Sequence, residues 1–237
     1  PEGETLTTAF CDGIALQSVG FTYCDRPVLS EVSATLRKGD CIGIVGRSGS
    51  GKSTLVDLIM GLLEPTAGSI AVDGVTLIAD NMRSWQKHIA HVPQTIFLVD
   101  GNIADNITFG MSGERPSLRA LHDVVVAVGL ADLVPTPEDL LRIGVGERGA
   151  RISGGQRQRI AIARALVRKA DVIVFDEATS ALDERTEADI VAMLQRLDKS
   201  KTIIMISHRM AALRYCNRIF SIDNGRLSEQ IVDRVLH

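Results

Sequence analysis

Gly46-Arg47-Ser48-Gly49-Ser50-Gly51-Lys52-Ser53-Thr54 is the stretch on which the reading of this chain turns. It fits the spacing G-x-x-x-x-G-K-[ST], in which a glycine loop joins a strand to a helix. Ahead of it, Ile42-Gly43-Ile44-Val45 has the length of a buried parallel strand. Behind it, Leu55, Leu58, Ile59 and Leu62 recur at i, i+3, i+4 and i+7, one face of a helix. Such a loop leaves backbone N–H groups pointing into a hollow, and the helix adds about half a positive charge at its first turn. A polyphosphate settles there. Lys52 is placed to reach the outer phosphates of a nucleoside triphosphate, and the Ser53 hydroxyl to ligate Mg²⁺.

The 237 residues suffice for one substantial core with an inserted subdomain. A net charge of −3 with 23% charged residues gives no electrostatic footprint for nucleic acid. The densest basic cluster (Arg157, Arg159, Arg164, Arg168) falls on one expected helix and reads as a solvated face. Cys11, Cys24, Cys41 and Cys216 form no C-x-x-C pair and lie far apart in sequence, as free thiols in a reducing compartment do. The longest apolar runs are much shorter than the ~20 residues that span a bilayer, and the polar, acidic start of the chain does not read as a signal peptide.

Residues 1–13 read as a linker or chain end, and residues 14–237 as one domain. From Ile14 to Leu36 short alternating segments suggest antiparallel strands. Asp73-Gly74 and Asn224-Gly225 mark tight hairpin turns. Between about residues 95 and 158 the character changes: Leu118, Leu121, Val125 and Val128 have helical spacing, with Pro135 and Pro137 beyond it. After Ile160, Val172 to Phe175 and Thr202 to Ile206 read as buried strands. Ile190, Met193, Leu194 and Leu197 fall on an amphipathic helix between them. Strands separated by helices imply a parallel sheet. The expected fold is therefore α/β, with a helical subdomain inserted in a nucleotide-binding core.

Two further segments carry chemistry. Val172 to Phe175 ends in Asp176-Glu177, and the first acid at such a strand end holds Mg²⁺ in phosphate-loop enzymes. Glu177 then points toward the terminal phosphate, where it can polarise an attacking water; a positioned general base contributes about 10²- to 10⁴-fold. Ile152-Ser153-Gly154-Gly155-Gln156 precedes a helix and forms a second array of backbone donors suited to an anion. Two phosphate-seeking helix ends in one chain are explained if each serves a different copy.

The ordered set resembles the nucleotide-binding domain of an ATP-binding cassette transporter, over about residues 14–227. The resemblance implies a phosphate-loop, RecA-like core with an antiparallel β subdomain and an α-helical signature subdomain. It implies ATP and Mg²⁺ as ligands. Gly46, Ser48, Gly49, Ser50, Gly51, Lys52, Ser53 and Thr54 match the phosphate loop, and Tyr23 matches the adenine-stacking aromatic. Ser153, Gly154, Gly155 and Gln156 match the signature, and Asp183 in Ser180-Ala181-Leu182-Asp183 matches the D-loop. Gln94 takes the Q-loop position, sensing Mg²⁺ and water, and His208 the switch-histidine position at the terminal phosphate. With Glu177 these two form the implied catalytic set; Ser53, Gln94 and Asp176 form the implied metal set. Ile152 stands where the family mostly has Leu, a near-isosteric change. The last ten residues depart from the family pattern, and His88, His91, His122 and His237 match none of its roles.

Two such domains associate head to tail in relatives, with ATP between the phosphate loop of one copy and the signature of the other. Phe97 to Ile103, Asp105 to Ile107 with Phe109-Gly110, and Gly144 to Gly149 resemble exporter segments that receive coupling helices. The resemblance therefore implies an exporter, a membrane domain earlier in the same polypeptide, a homodimer, no nucleic-acid partner and a place at the cytoplasmic face of a membrane. The rival expectations are a cassette ATPase of DNA repair or translation, and a regulatory module that does not hydrolyse. The first tends to carry coiled-coil insertions or a second cassette, neither seen here. Retention of Glu177 and His208 argues against the second.

Overall fold

In the computed structural model the described residues are 9–111, 113–177, 200–207, 209, 213, 214 and 216–230. Two sheets share the work. In the first, β1 (Gly13–Tyr23) lies between β2 (Arg26–Arg37) and β4 (Ala67–Val72), and β5 (Val75–Thr76) pairs with β4, all antiparallel. Between β3 (Cys41–Val45) and β4 lies helix α1 (Lys52–Ile59), and after β5 comes α2 (Ala79–Gln86).

The second sheet runs in the order β10-β9-β3-β8-β7-β6. Its strands β6 (Ile89–Val92), β7 (Val172–Asp176), β8 (Thr202–Ile206), β3 and β9 (Arg218–Asp223) are parallel; β10 (Arg226–Gln230) closes one edge antiparallel to β9. Both expected hairpin turns form. Asp73 and Gly74, and likewise Asn224 and Gly225, all take positive φ, as a type I′ turn demands.

Successive side chains of a strand face opposite ways, so the parallel sheet builds two cores. Val172 and Val174 join Ile42, Ile44, Ile204 and Ile206 against α1, α2 and the antiparallel sheet. Ile173 and Phe175 join Ala90, Val92 and Met205 on the other face. There they meet α3 (Ile103–Ile107), α4 (Leu118–Ala127), α5 (Asp139–Arg142) and α6 (Gly154–Val167). A parallel sheet covered on both faces explains why these strands read as unbroken apolar runs. Helix α4 ends at Gly129, whose φ of 75° reverses the chain, six residues before Pro135. The amphipathic helix expected around Ile190 to Leu197 lies outside the described residues.

Two sequence expectations are corrected. Residues 9–12, read as part of a linker, are docked. Phe10 is buried against Trp85 with rings 5.6 Å apart, and the Asp73 carboxylate accepts from the N–H groups of Cys11, Asp12 and Gly13. The arginines of α6 are not a solvated face either. Arg157 donates to Gly149 O, Arg159 to Val128 O, Arg164 to Asn106 O and Phe97 O, and Arg168 to Phe109 O and Gly110 O. Each guanidinium satisfies carbonyls at loop and helix ends that lack intrahelical partners, so α6 braces the helical segment before it.

Candidate nucleotide site

The phosphate loop leaves β3 at Val45 and enters α1 at Lys52. Two glycines make the path possible. At Gly46 a Cβ would fall 2.5 Å from Ile222 O, and at Gly51, with φ of 106°, a Cβ would fall 2.8 Å from the Leu29 side chain. Gly51 caps α1 without a side chain, and no acid occupies the first turn. The first N–H groups of α1 are therefore left to an external anion.

Lys52 is buried, and its Nζ donates to Gly46 O and Arg47 O, both at 2.9 Å, holding the ammonium inside the curve of its own loop. Ser53 is exposed at the start of the helix, and Thr54 is buried beneath it. Ser50 Oγ is buried with no hydrogen-bond partner among the described residues. A buried hydroxyl without a partner costs about 1–3 kcal/mol, and a phosphate oxygen is the acceptor this loop is shaped to bring. Uncapped amides, a retained ammonium, an exposed hydroxyl and an orphaned one together fit a nucleotide polyphosphate with its Mg²⁺.

An open cleft of about 1410 Å³ lies over the loop, lined by Ser48 to Thr54 together with Tyr23, Gln94 and Glu177. Tyr23, 48% exposed, packs against Phe21 in a T-shaped pair, with ring centroids 4.7 Å apart and planes at 82°. Gln94 follows β6 and Glu177 follows β7, parallel neighbours, so the two side chains meet at the sheet's C-terminal edge. Gln94 Nε2 donates to Glu177 Oε2 at 3.0 Å. Asp176 is half-buried at the end of β7. Burial pushes its carboxyl above the usual range and Glu177 adds to this, while His91 and Lys52 pull it down. A carboxylate costly to ionise alone is one that a divalent cation relieves.

The signature residues stand apart. Ser153 caps α6: its Oγ accepts from Gln156 N at 3.2 Å, and Gln156 Oε1 accepts from Ser153 N at 3.0 Å. Gly154 is exposed, with open space where a Cβ would stand. None of residues 152–156 lines the cleft. Asp183 and His208 lie outside the described residues.

Sequence reasoning missed part of the cleft. Arg26, Pro27 and Val28 line its mouth opposite Asp223 and Asn224, residues read only as a hairpin turn. It also missed the surroundings of Asp176. Burial lowers the proton affinity of His91 against the pull of Asp176 and Asp57, and burial followed by Asp176 raises that of Asp57. His88 and His122 are structural: His88 pairs with Asp171 at 2.7 Å, and His122 bonds Val134 O.

The sequence profile of the ABC transporter family matches residues 29–180. The chain belongs to the ABC transporter family. The match includes the phosphate loop, the signature and the Asp176-Glu177 pair, so the chain carries a nucleotide-binding ATPase domain of that family. It is 39% identical over 231 residues to the ATP-dependent lipid A-core flippase of Bordetella avium, covering 96% of this chain and 39% of the relative. It is 41% identical over 202 residues to the Beta-(1-->2)glucan export ATP-binding/permease protein NdvA of Rhizobium etli, covering 85% of this chain and 34% of that protein. A bacterial Atm1-family ABC exporter with ATP bound superposes with a TM-score of 0.88 at 33% identity, over all of this chain and 41% of that one. The ABC domain thus spans 34% to 41% of the length of these relatives. No helix among its described residues is long and apolar enough to cross a membrane.

Proposed function

We propose that this ABC domain is the ATP-hydrolysing motor of a membrane exporter, working as a head-to-tail pair around two Mg-ATP. One observation carries the pairing. Two helices open at glycine-rich turns, α1 at Lys52 and α6 at Gly154 behind its Ser153 cap, and only the first lines the cleft. The second finds a phosphate only on another copy. In such a pair Ser153, Gly154, Gly155 and Gln156 of one copy face the nucleotide held by Lys52, Ser53 and Thr54 of the other. Both amide arrays then neutralise one anion, so ATP joins the copies and its hydrolysis frees them.

In this reading Tyr23 stacks on the base, and Ser53 and Asp176 hold the metal. Glu177 orients and deprotonates water, and Gln94 reports the state of the metal site. His208 contacts the terminal phosphate, and Asp183 lies at the junction of the copies. These are positioning and electrostatic roles, as phosphoryl transfer requires. Residues 14–237 form the motor, with residues from about 95 to 158 as its helical subdomain. Exposed Phe97 and Phe109, 6.5 Å apart, support this reading as an apolar face for a membrane domain of the same polypeptide, with the motor working at the cytoplasmic side of the membrane. The exporter names of the relatives favour this over a cassette ATPase acting on nucleic acid.

Complementation tests the pairing. A Lys52→Ala chain mixed with a Ser153→Arg chain retains one composite site. Size-exclusion chromatography with ATP is expected to show a mixed dimer, while neither variant dimerises alone. A mixture that stays monomeric overturns the head-to-tail arrangement.

A further inference from the structure

Cys41 and Cys216 are 175 residues apart in sequence, yet their sulfurs lie 3.8 Å apart and share one S–H hydrogen bond. Cys41 opens β3, which runs straight into the phosphate loop; Cys216 ends the connector between β8 and β9. The two backbones are locked together at this point. Cys41 N donates to Asn217 Oδ1 at 2.8 Å, and Asn217 N donates to Cys41 O at 2.9 Å. Cys216 is buried with Leu213 and Ile219, whereas Cys41 is half-buried beside them.

We infer that Cys41 and Cys216 are a reversible peroxide-oxidation site, in which Cys41 is the attacking thiol and Cys216 the resolving one. The sulfurs, 3.8 Å apart, need approach by only about 1.8 Å to reach the ~2.05 Å of a disulfide. The hydrogen bond also assigns the roles. Once Cys41 ionises, only Cys216 can donate. That bond holds the Cys41 thiol below its ordinary range, against the opposing pull of burial and of Asp40. Cys216 is pushed up, by its hydrogen bond with Cys41 and by burial. The thiolate is the nucleophile, so the less buried Cys41 reacts first.

The chemistry balances. The Cys41 sulfur attacks one peroxide oxygen and the O–O bond breaks. Hydroxide leaves and takes up a proton as water, and the sulfur is left as a sulfenic acid. The Cys216 sulfur then attacks the Cys41 sulfur, and the S–S bond forms as the S–O bond breaks. The departing hydroxide takes the Cys216 proton as a second water. Two thiols and one hydrogen peroxide give one disulfide and two waters. Thiol reductants reverse it. The product fastens the strand leading into the phosphate loop to the connector entering β9.

The test uses this chain with exposed Cys11 and Cys24 changed to serine. It is treated with hydrogen peroxide, alkylated, digested with trypsin without reduction, and analysed by mass spectrometry. The expected product links peptides 39–47 and 215–218, at least tenfold more abundant than in a sample reduced with dithiothreitol. Cys41→Ser and Cys216→Ser are each expected to abolish it. Recovery of both cysteines as alkylated thiols overturns the proposal, as does Cys41 as sulfinic acid beside an unreacted Cys216. The readout is a covalent mass on the parent chain, so it decides even if a serine variant does not fold, and it is independent of ATP turnover.

Discussion

Gln94 and Glu177, 83 residues apart, are joined by one hydrogen bond of 3.0 Å from the amide nitrogen of the first to a carboxylate oxygen of the second. The bond spans the gap between the ends of two parallel strands, which is where ligands sit in open α/β sheets. Glu177 is also held at φ of 48°, with its N–H donating to Ile206 O. A non-glycine residue in that left-handed region costs on the order of 1–3 kcal/mol. The backbone at this point is therefore fixed by its surroundings, and the carboxylate is aimed into the cleft.

If Glu177 is the base, Glu177→Gln keeps the side-chain shape and the acceptor for Gln94 while removing the proton affinity. ATP turnover is expected to fall about 10²- to 10⁴-fold, with the dissociation constant for ATP changed less than about tenfold. Steady-state turnover and a binding titration on the same preparation separate the two. Turnover within about twofold of the parent would take Glu177 out of the role.

Lys52 points its ammonium at two loop carbonyls. Lys52→Ala removes a charge-assisted contact to phosphate and leaves those carbonyls to water. ATP affinity is expected to drop by at least about 100-fold, or roughly 3 kcal/mol, while the far-ultraviolet circular dichroism is unchanged. Isothermal titration calorimetry reads the loss directly, and affinity near the parent value would contradict the placement.

What the sequence made legible follows from local physics. The loop from Gly46 to Thr54 is contiguous, so its glycines, lysine and flanking periodicities all appear in one window. Asp73-Gly74 and Asn224-Gly225 are two-residue devices and were equally readable. The fate of Arg157, Arg159, Arg164 and Arg168 was not, because composition records a charge and not the distant carbonyl it reaches. The Cys41–Cys216 pair is hidden for the same reason: only the β3–β9 pairing brings the sulfurs together. Cleft residues such as Arg26 and Val28 carry no motif; they matter only because a second sheet edge closes over the loop.

Arg164 shows what the α6 arginines do. Its Nε donates to Asn106 O at 2.9 Å, its Nη2 to Phe97 O at 3.2 Å, and its guanidinium lies 5.3 Å from the Phe109 ring centre. Arg164→Met keeps most of the aliphatic packing but strands two carbonyls. Unfolding by urea is expected to show a loss of about 2 kcal/mol. Hydrogen exchange should rise first around residues 97–109, the segment the arginine braces. A loss below about 0.5 kcal/mol would return the arginine to the status of a surface charge.

Arg218 gives a prediction with a pH signature. Its Nη1 lies 3.1 Å from Asp40 Oδ2, while Nε and Nη2 grip Glu229 at 2.7 and 2.9 Å. Burial pushes the Asp40 carboxyl up. The Arg37 N–H, the Asn217 amide and the Arg218 guanidinium outweigh it and hold the group below the usual carboxylate range. A depressed folded value means the unfolded chain binds the proton more readily. The contribution is therefore present above the unfolded value of about 3.9 and is lost as pH falls through the folded one. Arg218→Met leaves a largely buried carboxylate without its counter-ion and is expected to cost about 3 kcal/mol at pH 7. As pH falls toward 3, the unfolded chain and the Arg218→Met protein take up the proton that folded Asp40 beside the arginine resists, so the difference should shrink. Urea unfolding of both proteins from pH 7 down toward pH 3 measures it. A stability gap constant across that range would mean that Arg218 acts through its packing on Phe220, 5.0 Å from the ring centre, and not through charge.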